Sequence, residues 1–168
     1  MRFALTMTLL FALGTMAAPV VSSHEHLHGA PGKAAATQAT GFGSPGNPKA
    51  VTRIFDLGLR DSMRIEPDHL SVRQGETVRL RIRNTGAVAH EFVLGTKMEI
   101  DEHHEMMRTM PTMMHDDANA VSVAPGATAE IIWRFRKRGT FLYACLIPGH
   151  WEAGMQGTVT VSSAAKAR

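Results

Sequence analysis

The chain has 168 residues, of which 44% are hydrophobic, 20% charged and 6% aromatic, so it holds enough apolar residues for the core of one domain. Its formal net charge is +3 without long runs of lysine or arginine, which argues against a nucleic-acid-binding protein. The single cysteine, Cys145, excludes an intramolecular disulfide, a CxxC redox pair, a cysteine-rich zinc site and a CxxCH haem attachment.

Residues 1–23 predict a secretory signal peptide. Arg2 supplies a short positive start, residues 3–18 are apolar, and small residues follow. The apolar stretch is short for a membrane-spanning helix, so we expect cleavage, export to the periplasm and no stable insertion in the membrane. An uncleaved membrane anchor is the alternative. In an oxidising compartment the lone cysteine has no partner inside the chain, so its presence needs another reason.

Residues 24–50 are rich in glycine, proline, alanine, serine and threonine, and they follow neither the helical nor the strand period. This composition predicts a flexible, disordered N-terminal arm. The arm begins with three histidines at alternate positions, His24, His26 and His28. If cleavage follows Ser23, the free amine of His24, two backbone amides and the His26 imidazole would form a square-planar Cu(II) or Ni(II) site. The alternative is a solvated tail whose histidines have no role.

From residue 51 the chain changes to period-2 alternation, which predicts one β domain over 51–163 and a short tail over 164–168. In 77–83, for example, aliphatic side chains point inward and arginines face water. We predict strands over residues 51–59, 63–72, 77–83, 90–94, 120–123, 129–135, 140–145 and 158–161. Short strands with turn residues between them, and no alternation of helices with strands, indicate an all-β fold, an antiparallel β-sandwich.

One insert, residues 96–118, interrupts the strands. Thr96 and Glu99 have the spacing of a capping box, with a hydroxyl at the N-cap and a glutamate at the third helical position. Good helix formers fill 98–110, and Pro111 would end the helix. We therefore predict one helix, rich in methionine and histidine, inserted between two strands.

The motif that carries chemistry lies near the C-terminus, where four residues separate Cys145 from His150 and four separate His150 from Met155. A cysteine at a strand end, a histidine in the following turn and a methionine at the next strand can converge on one point. Thiolate, imidazole and thioether together form the ligand set of a type 1 (blue) copper site. His90, at the start of an earlier strand, is the candidate for the second imidazole. Zinc would favour another thiolate or a carboxylate over methionine.

Simpler interpretations exist for each residue of this motif. Taken singly, Cys145 could be a buried structural thiol, His150 a surface histidine and Met155 part of the core. Catalysis by a cysteine–histidine pair is a rival interpretation of the group, but it gives Met155 no role and lacks an obvious asparagine or aspartate to orient the histidine. The joint pattern in an exported chain therefore favours copper.

The run Cys-Leu-Ile-Pro-Gly-His-Trp-Glu-Ala-Gly-Met over residues 145–155, with the upstream histidine, resembles the cupredoxin family. Its spacing is similar to that of rusticyanin and is one residue longer after the histidine than in azurin. The pattern of residues 67–78 also resembles the early strands of this family. The resemblance covers about residues 51–163. It implies a Greek-key β-sandwich with one copper ion held by His90, Cys145, His150 and Met155.

One departure from the azurin-like pattern follows the first predicted ligand. Azurin-like members carry asparagine or serine directly after that histidine, where the side chain helps to hold the loops near the thiolate. Here Glu91 takes the place. We expect a carboxylate at this position to stabilise Cu(II) and lower the reduction potential.

The helical insert adds further soft or borderline metal ligands. On a helix, His103 and Met107 would be neighbours four residues apart, as would Met106 and Met110. Ile100, His103, Met107 and Met110 also form a stripe that could simply pack on the sandwich, and periodicity alone leaves both interpretations open. One stripe cannot bury all the methionines and histidines, and this excess favours metal binding. The candidate accessory copper ligands are His103, His104, Met106, Met107, Met110, Met113, Met114 and His115, together with His24, His26 and His28.

Three functions are compatible with these features. The first is an exported copper-tolerance protein that buffers copper ions, using a redox-active Cu(II)/Cu(I) centre together with the arm and the insert. The second is a one-electron shuttle that uses only the central site and docks a redox partner through an apolar rim of Ile147, Pro148 and Trp151. The third is an enzyme such as a Cu(I) oxidase, but one domain with one cysteine lacks the multicopper clusters of such enzymes. We predict the first, with copper ions and a periplasmic redox or copper-handling protein as partners.

Overall fold

Two five-stranded β-sheets and one α-helix account for most of the fold. The computed structural model describes residues 39–110 and 117–164. Its elements in chain order are β1 (Gly43–Pro45), a short 3-10 turn (Pro48–Ala50), β2 (Val51–Arg60), β3 (Arg64–Glu66), β4 (His69–Arg73), β5 (Thr77–Asn84), β6 (His90–Gly95), α1 (Lys97–Thr109), β7 (Ala120–Val123), β8 (Thr128–Phe135), β9 (Gly139–Ala144) and β10 (Gln156–Ser162). The predicted β-sandwich with one inserted helix is confirmed.

The two sheets are both mixed. Strands β1, β8, β5, β2 and β3 form the first sheet in that order, and β4, β10, β9, β6 and β7 form the second. The β2–β5 and β4–β10 pairs are parallel, and the other pairs are antiparallel. The expectation of antiparallel pairing throughout is therefore wrong. The chain leaves the first sheet after β3, adds β4 to the second and returns as β5, so β5 runs in the same direction as β2.

The core lies between the sheets and follows the alternation of the strands. Val78, Leu80 and Ile82 are fully buried, as their period-2 spacing predicts. Trp133 and Phe135 meet them from the neighbouring strand β8. Cys145 and Met155 belong to the same buried cluster, so two of the predicted copper ligands lie at the margin of the main core rather than on the surface.

The sandwich begins earlier in the chain than the sequence predicts. We expected residues 24–50 to contain neither helix nor strand, but β1 pairs with β8, and Phe42 is buried. The Phe42 ring stacks on Phe141 with centroids 4.7 Å apart. A Cβ at Gly43 would lie 2.3 Å from the Trp133 indole nitrogen, so the close approach of β1 requires glycine there. Three residues containing glycine and proline are too few to show a strand period.

Helix α1 begins as the capping box predicts. The Thr96 hydroxyl accepts a hydrogen bond from the Glu99 amide at 3.2 Å, and the Glu99 carboxylate accepts one from the Thr96 amide at 2.7 Å. Ile100 and Met107 are buried on the side of the helix that packs on the second sheet. The helix is therefore fixed to the sandwich through one apolar face.

Several predicted segments lie outside the described residues: the signal peptide (1–23), residues 24–38 of the arm and residues 165–168 of the tail. Within 39–110 and 117–164, no helix has both the length and the apolar character needed to cross a membrane.

Candidate metal centre

Three predicted ligands meet at one end of the sandwich. His90 is the first residue of β6, and Cys145 directly follows β9. These strands are antiparallel neighbours, with Val93 opposite Ala144, so the start of β6 lies beside the end of β9. His150 comes from the loop that connects β9 to β10. The sheet register thus brings together residues more than 50 positions apart in sequence.

The ligand atoms of these residues are close enough to share one ion. One ring nitrogen from each histidine and the Cys145 sulfur all lie within 4.8 Å of one another. The His150 Nδ1 is 3.3 Å from the Cys145 Sγ and 3.3 Å from the His90 Nδ1. His90 and Cys145 are buried, and His150 is partly exposed. Two imidazoles and one thiolate are the three in-plane ligands of a type 1 copper site, so the residues present fit the ion that the sequence predicts.

The loop over residues 146–155, here called the ligand loop, is closed by its own backbone hydrogen bonds. The Met155 amide donates to the His150 carbonyl at 3.0 Å, and the Cys145 amide donates to the Met155 carbonyl at 3.0 Å. Gly149 and Gly154 both have φ near +90°, a conformation that favours glycine. The Met155 side chain is buried in the same core cluster as Cys145. The fourth predicted ligand is thus tied through its backbone to the two others in this segment.

Burial changes the pKa values of the Cys145 thiol and of the partly exposed His150. It raises the pKa of the Cys145 thiol to about 11, against smaller lowering effects from the backbone amides of Glu91 and Ile147. Binding of a metal at this sulfur therefore displaces a proton. Burial also lowers the pKa of His150, and the neighbouring His90 lowers it further. A neutral imidazole at His150 is the form that ligates a metal.

Glu91, the residue that departs from the azurin-like pattern, contacts the centre through its backbone. Its amide donates to the Cys145 Sγ at 3.3 Å. Its carboxylate is buried and lies 3.8 Å from the His103 Nε2 of helix α1. Burial raises the pKa of Glu91 to about 7, opposed by the backbone amide of Leu146 and assisted by the charge of Asp117. The backbone of residue 91 thus touches the sulfur, while its side chain points toward the helical insert.

Sequence analysis missed a carboxylate on the far side of His90. The Asp61 Oδ1, in the turn after β2, lies 3.3 Å from the His90 Nε2. Asp61 also accepts hydrogen bonds from the backbone amides of Ala87 and Val88, and the Ala87 bond is the main cause that lowers its pKa. No local pattern could have found this residue, because it is 29 positions from His90 and is an ordinary turn aspartate in sequence.

The accessory ligand candidates in the described part of the chain have different surroundings, and His103 lies near Glu91, as given above. His104 pairs with Glu152 of the ligand loop, with the Nε2 and Oε1 atoms 3.0 Å apart. Met107 is buried, while Met106 and Met110 are 37% and 49% exposed. Packing on the sandwich, one of the two interpretations left open for the stripe, holds for Ile100 and Met107, which are buried, and not for Met110, which follows the last residue of the helix. Outside the described residues lie the other candidates, Met113, Met114, His115, His24, His26 and His28.

Comparison with known proteins agrees with this geometry. A family model described as copper binding proteins, plastocyanin/azurin family, matches residues 56–162. The copper-resistant cuproprotein CopI of Rubrivivax gelatinosus is 45% identical over 150 residues, which are 89% of this chain and 91% of the relative. The copper-resistant cuproprotein CopI of Pseudomonas aeruginosa is 35% identical over 164 residues, covering 80% of this chain and 90% of that protein.

Solved structures show the same fold. An auracyanin B structure aligns with a TM-score of 0.59 at 24% identity, over 72% of this chain and 96% of that chain. The predicted Greek-key sandwich and the predicted copper cofactor are therefore confirmed. The chain belongs to the plastocyanin/azurin family of copper-binding proteins, the cupredoxins.

Proposed function

We propose that this protein is exported to the periplasm and acts in copper tolerance by binding copper at a type 1 site formed by His90, Cys145, His150 and Met155. The convergence of two imidazole nitrogens and one sulfur within 4.8 Å is the observation that carries the proposal. The similarity to proteins named copper-resistant cuproprotein supports the role in tolerance. The apolar N-terminal segment with its positive start supports export.

Each ligand has a distinct chemical role in this proposal. The Cys145 thiolate donates strongly to Cu(II) and is soft enough to hold Cu(I), and the two neutral imidazoles suit both oxidation states. Met155 would supply the weakest donor, a thioether buried in the same core cluster as Cys145. Copper bound in this set supplies one-electron redox chemistry. The backbone hydrogen bonds that close the ligand loop would keep the ligand positions similar in both oxidation states, so that little reorganisation would accompany a change of charge.

Additional copper would bind outside this centre. The exposed thioethers of Met106 and Met110 are accessible ligands for Cu(I), and the His-rich start of the arm adds imidazoles. These groups distinguish a copper buffer from a simple electron carrier, which needs one ion only.

A dedicated electron shuttle is the second candidate function. Pro148 and Val88 are exposed, and each precedes a proposed histidine ligand by two residues, so they offer apolar surface suited to brief contact with a redox protein. The total copper bound per chain separates the two candidates, because a shuttle binds one ion and a buffer binds more.

The test is a visible spectrum with metal analysis on the mature protein, wild type and Cys145→Ser. We expect an intense thiolate-to-copper absorption in the wild type and its complete loss in the variant. His69→Ala is a matched control, since that histidine contacts Thr158 on the second sheet and belongs to no ligand cluster. Colour that persists in Cys145→Ser would overturn the proposed site.

The biological role is tested by growth in copper. A deletion strain should regain copper tolerance with the wild-type gene and not with the Cys145→Ser gene. Equal growth of the deletion strain and its parent at all copper concentrations would refute a role in tolerance while leaving the copper site intact.

A further inference from the structure

The turn between β2 and β3, residues 61–63, lies against the buried copper ligand. The Asp61 carboxylate sits between the His90 ring and the segment that leads into β6. It is 3.3 Å from the His90 Nε2 and accepts hydrogen bonds from the Ala87 amide at 2.7 Å and the Val88 amide at 3.4 Å. One side chain therefore contacts both the ring of His90 and the backbone that carries it.

The two nitrogens of His90 face different partners. Its Nδ1 faces the His150 Nδ1, toward the cluster with Cys145, and its Nε2 faces Asp61. A carboxylate beside Nε2 favours a proton on that nitrogen, which leaves the lone pair on Nδ1 free to bind a metal. We propose that Asp61 is a positioning residue of the copper centre: it fixes the orientation and tautomer of His90. The proposal rests on the function proposed above.

The chain around Asp61 is shaped to admit this carboxylate. A Cβ at Gly86 would lie 1.8 Å from the Asp61 Oδ1, so any side chain there would displace the carboxylate. The Gly86 amide instead donates to the Asn84 side chain at 2.9 Å. Because residue 86 is glycine, the loop that precedes His90 leaves room for the Asp61 carboxylate.

Arg64, the residue that follows this turn, contacts the ligand loop. The Arg64 guanidinium donates to the Ala153 carbonyl at 2.8 Å, two residues before Met155. Met63, between these two polar residues, has φ of 58°, a conformation that is costly for a residue with a side chain. Residues 61–64 thus contact His90 through Asp61 and the ligand loop through Arg64, as expected of a segment that supports the site.

Stability alone does not explain the Asp61–His90 contact. The Asp61 side chain is 42% exposed, and a pair between a half-exposed carboxylate and a histidine contributes little to folding. The larger expected effect is on the metal, since loss of a carboxylate partner of a ligating histidine costs about 10- to 100-fold in metal affinity.

The experiment compares Asp61→Ala, Asp61→Asn and Gly86→Ala with the wild type and with Asp56→Asn. Asp56 is the matched control because it is an aspartate on strand β2, just before the turn that holds Asp61, and it pairs with Arg81 on the exposed face of the sheet. Copper affinity, the thiolate-to-copper absorption and the reduction potential are measured on the loaded proteins. Thermal unfolding is measured without metal.

We expect Asp61→Ala to lower copper affinity about 10- to 100-fold, to shift the absorption band and to raise the reduction potential, because a less basic His90 stabilises Cu(II) less. Asp61→Asn should retain part of the affinity, since its amide oxygen can still accept from His90. Gly86→Ala should reproduce the defect of Asp61→Ala with the carboxylate still present, so the test survives if Asp61→Ala fails to fold. Asp56→Asn should match the wild type.

Two results overturn the inference and are distinguishable. If the wild type shows the thiolate-to-copper absorption but the Asp61 and Gly86 variants match Asp56→Asn in affinity, absorption and potential, Asp61 does not position His90 and the proposed function stands. If the wild type itself shows no such absorption when loaded with copper, both the site assignment and the role of Asp61 fail.

Discussion

The methionines of helix α1 can be separated by their burial into packing residues and accessible ones. Met107 is 3% exposed and packs in a small apolar cluster with Ile100 of the same helix and Val93 and Leu146 of the sandwich. Substitution Met107→Ala removes three buried heavy atoms and leaves a cavity. Buried methionine-to-alanine changes cost about 2–5 kcal/mol of unfolding free energy. We expect about 2–3 kcal/mol here, because a helix at the edge of the sandwich can settle partly into the gap.

Met106→Ala and Met110→Ala are the matched comparisons. These side chains are 37% and 49% exposed, and Met110 caps the helix only through its backbone amide, which alanine keeps. Exposed substitutions of this kind usually change the free energy of unfolding by less than about 0.5 kcal/mol. Alanine is also the best helix former, so the helix itself does not suffer. The stability cost should therefore fall on Met107 alone.

Urea unfolding of the metal-free proteins measures this difference. With a slope of about 1–3 kcal/mol per molar urea for a small domain, the loss at Met107 shifts the midpoint by about 1 M. Copper titration of the same variants should show the reverse pattern. The double variant Met106→Ala, Met110→Ala should bind less copper than the wild type, and Met107→Ala should bind the same amount. Equal midpoints for Met107→Ala and Met106→Ala would refute the assignment of the buried face.

Three further outcomes follow from the contacts described above. His103→Ala combined with His104→Ala should leave the thiolate-to-copper absorption in place but reduce the total copper bound per chain, whereas unchanged stoichiometry in metal analysis would assign these histidines to packing. Met155→Leu should keep the absorption but raise the reduction potential, because one donor to Cu(II) is removed, and an unchanged potential would contradict its axial role. Burial acts to raise the pKa of Glu76, but hydrogen bonds from Arg53 and the backbone outweigh it and hold the pKa below 4.5, so the charged form stabilises the fold above that pH. Glu76→Gln should therefore cost about 1–3 kcal/mol in urea unfolding at pH 7, and the deficit should shrink as the pH falls below the ordinary glutamate pKa, whereas a deficit that does not change with pH would refute this.

Local patterns in the sequence were sufficient for most of the strands, although the single strand predicted over 63–72 is two strands, β3 and β4, which lie in different sheets. The alternation around Leu80 predicts strand β5 because each sheet face has its own solvent environment. The spacing of Cys145, His150 and Met155 predicts their convergence because the three lie on one strand end and one loop, where sequence distance limits spatial distance. The capping box at Thr96 predicts the helix start for the same local reason.

Contacts between segments that are far apart in the sequence could not be predicted from such local patterns. Asp61 meets His90 only because β2 and β5 pair in parallel and the loop after β5 returns to the turn after β2. Strand β1 is held by Phe42 and by a close approach to Trp133, neither of which leaves a period in the sequence. In the same way, the spacing of Ile100, Met107 and Met110 could not show that Met110 is exposed to solvent.

The unequal burial of the two histidines has a consequence for how a chelator could strip the centre. His90 and Cys145 are both closed off from solvent while His150 is partly exposed, so a competing molecule can reach only the His150 side. Extraction must then begin by displacing that one imidazole, and bulky chelators should remove the ion much more slowly than small ones of equal strength. Any protein that takes copper from this site by ligand exchange would meet the same restriction, and would have to present its first donor atom at His150.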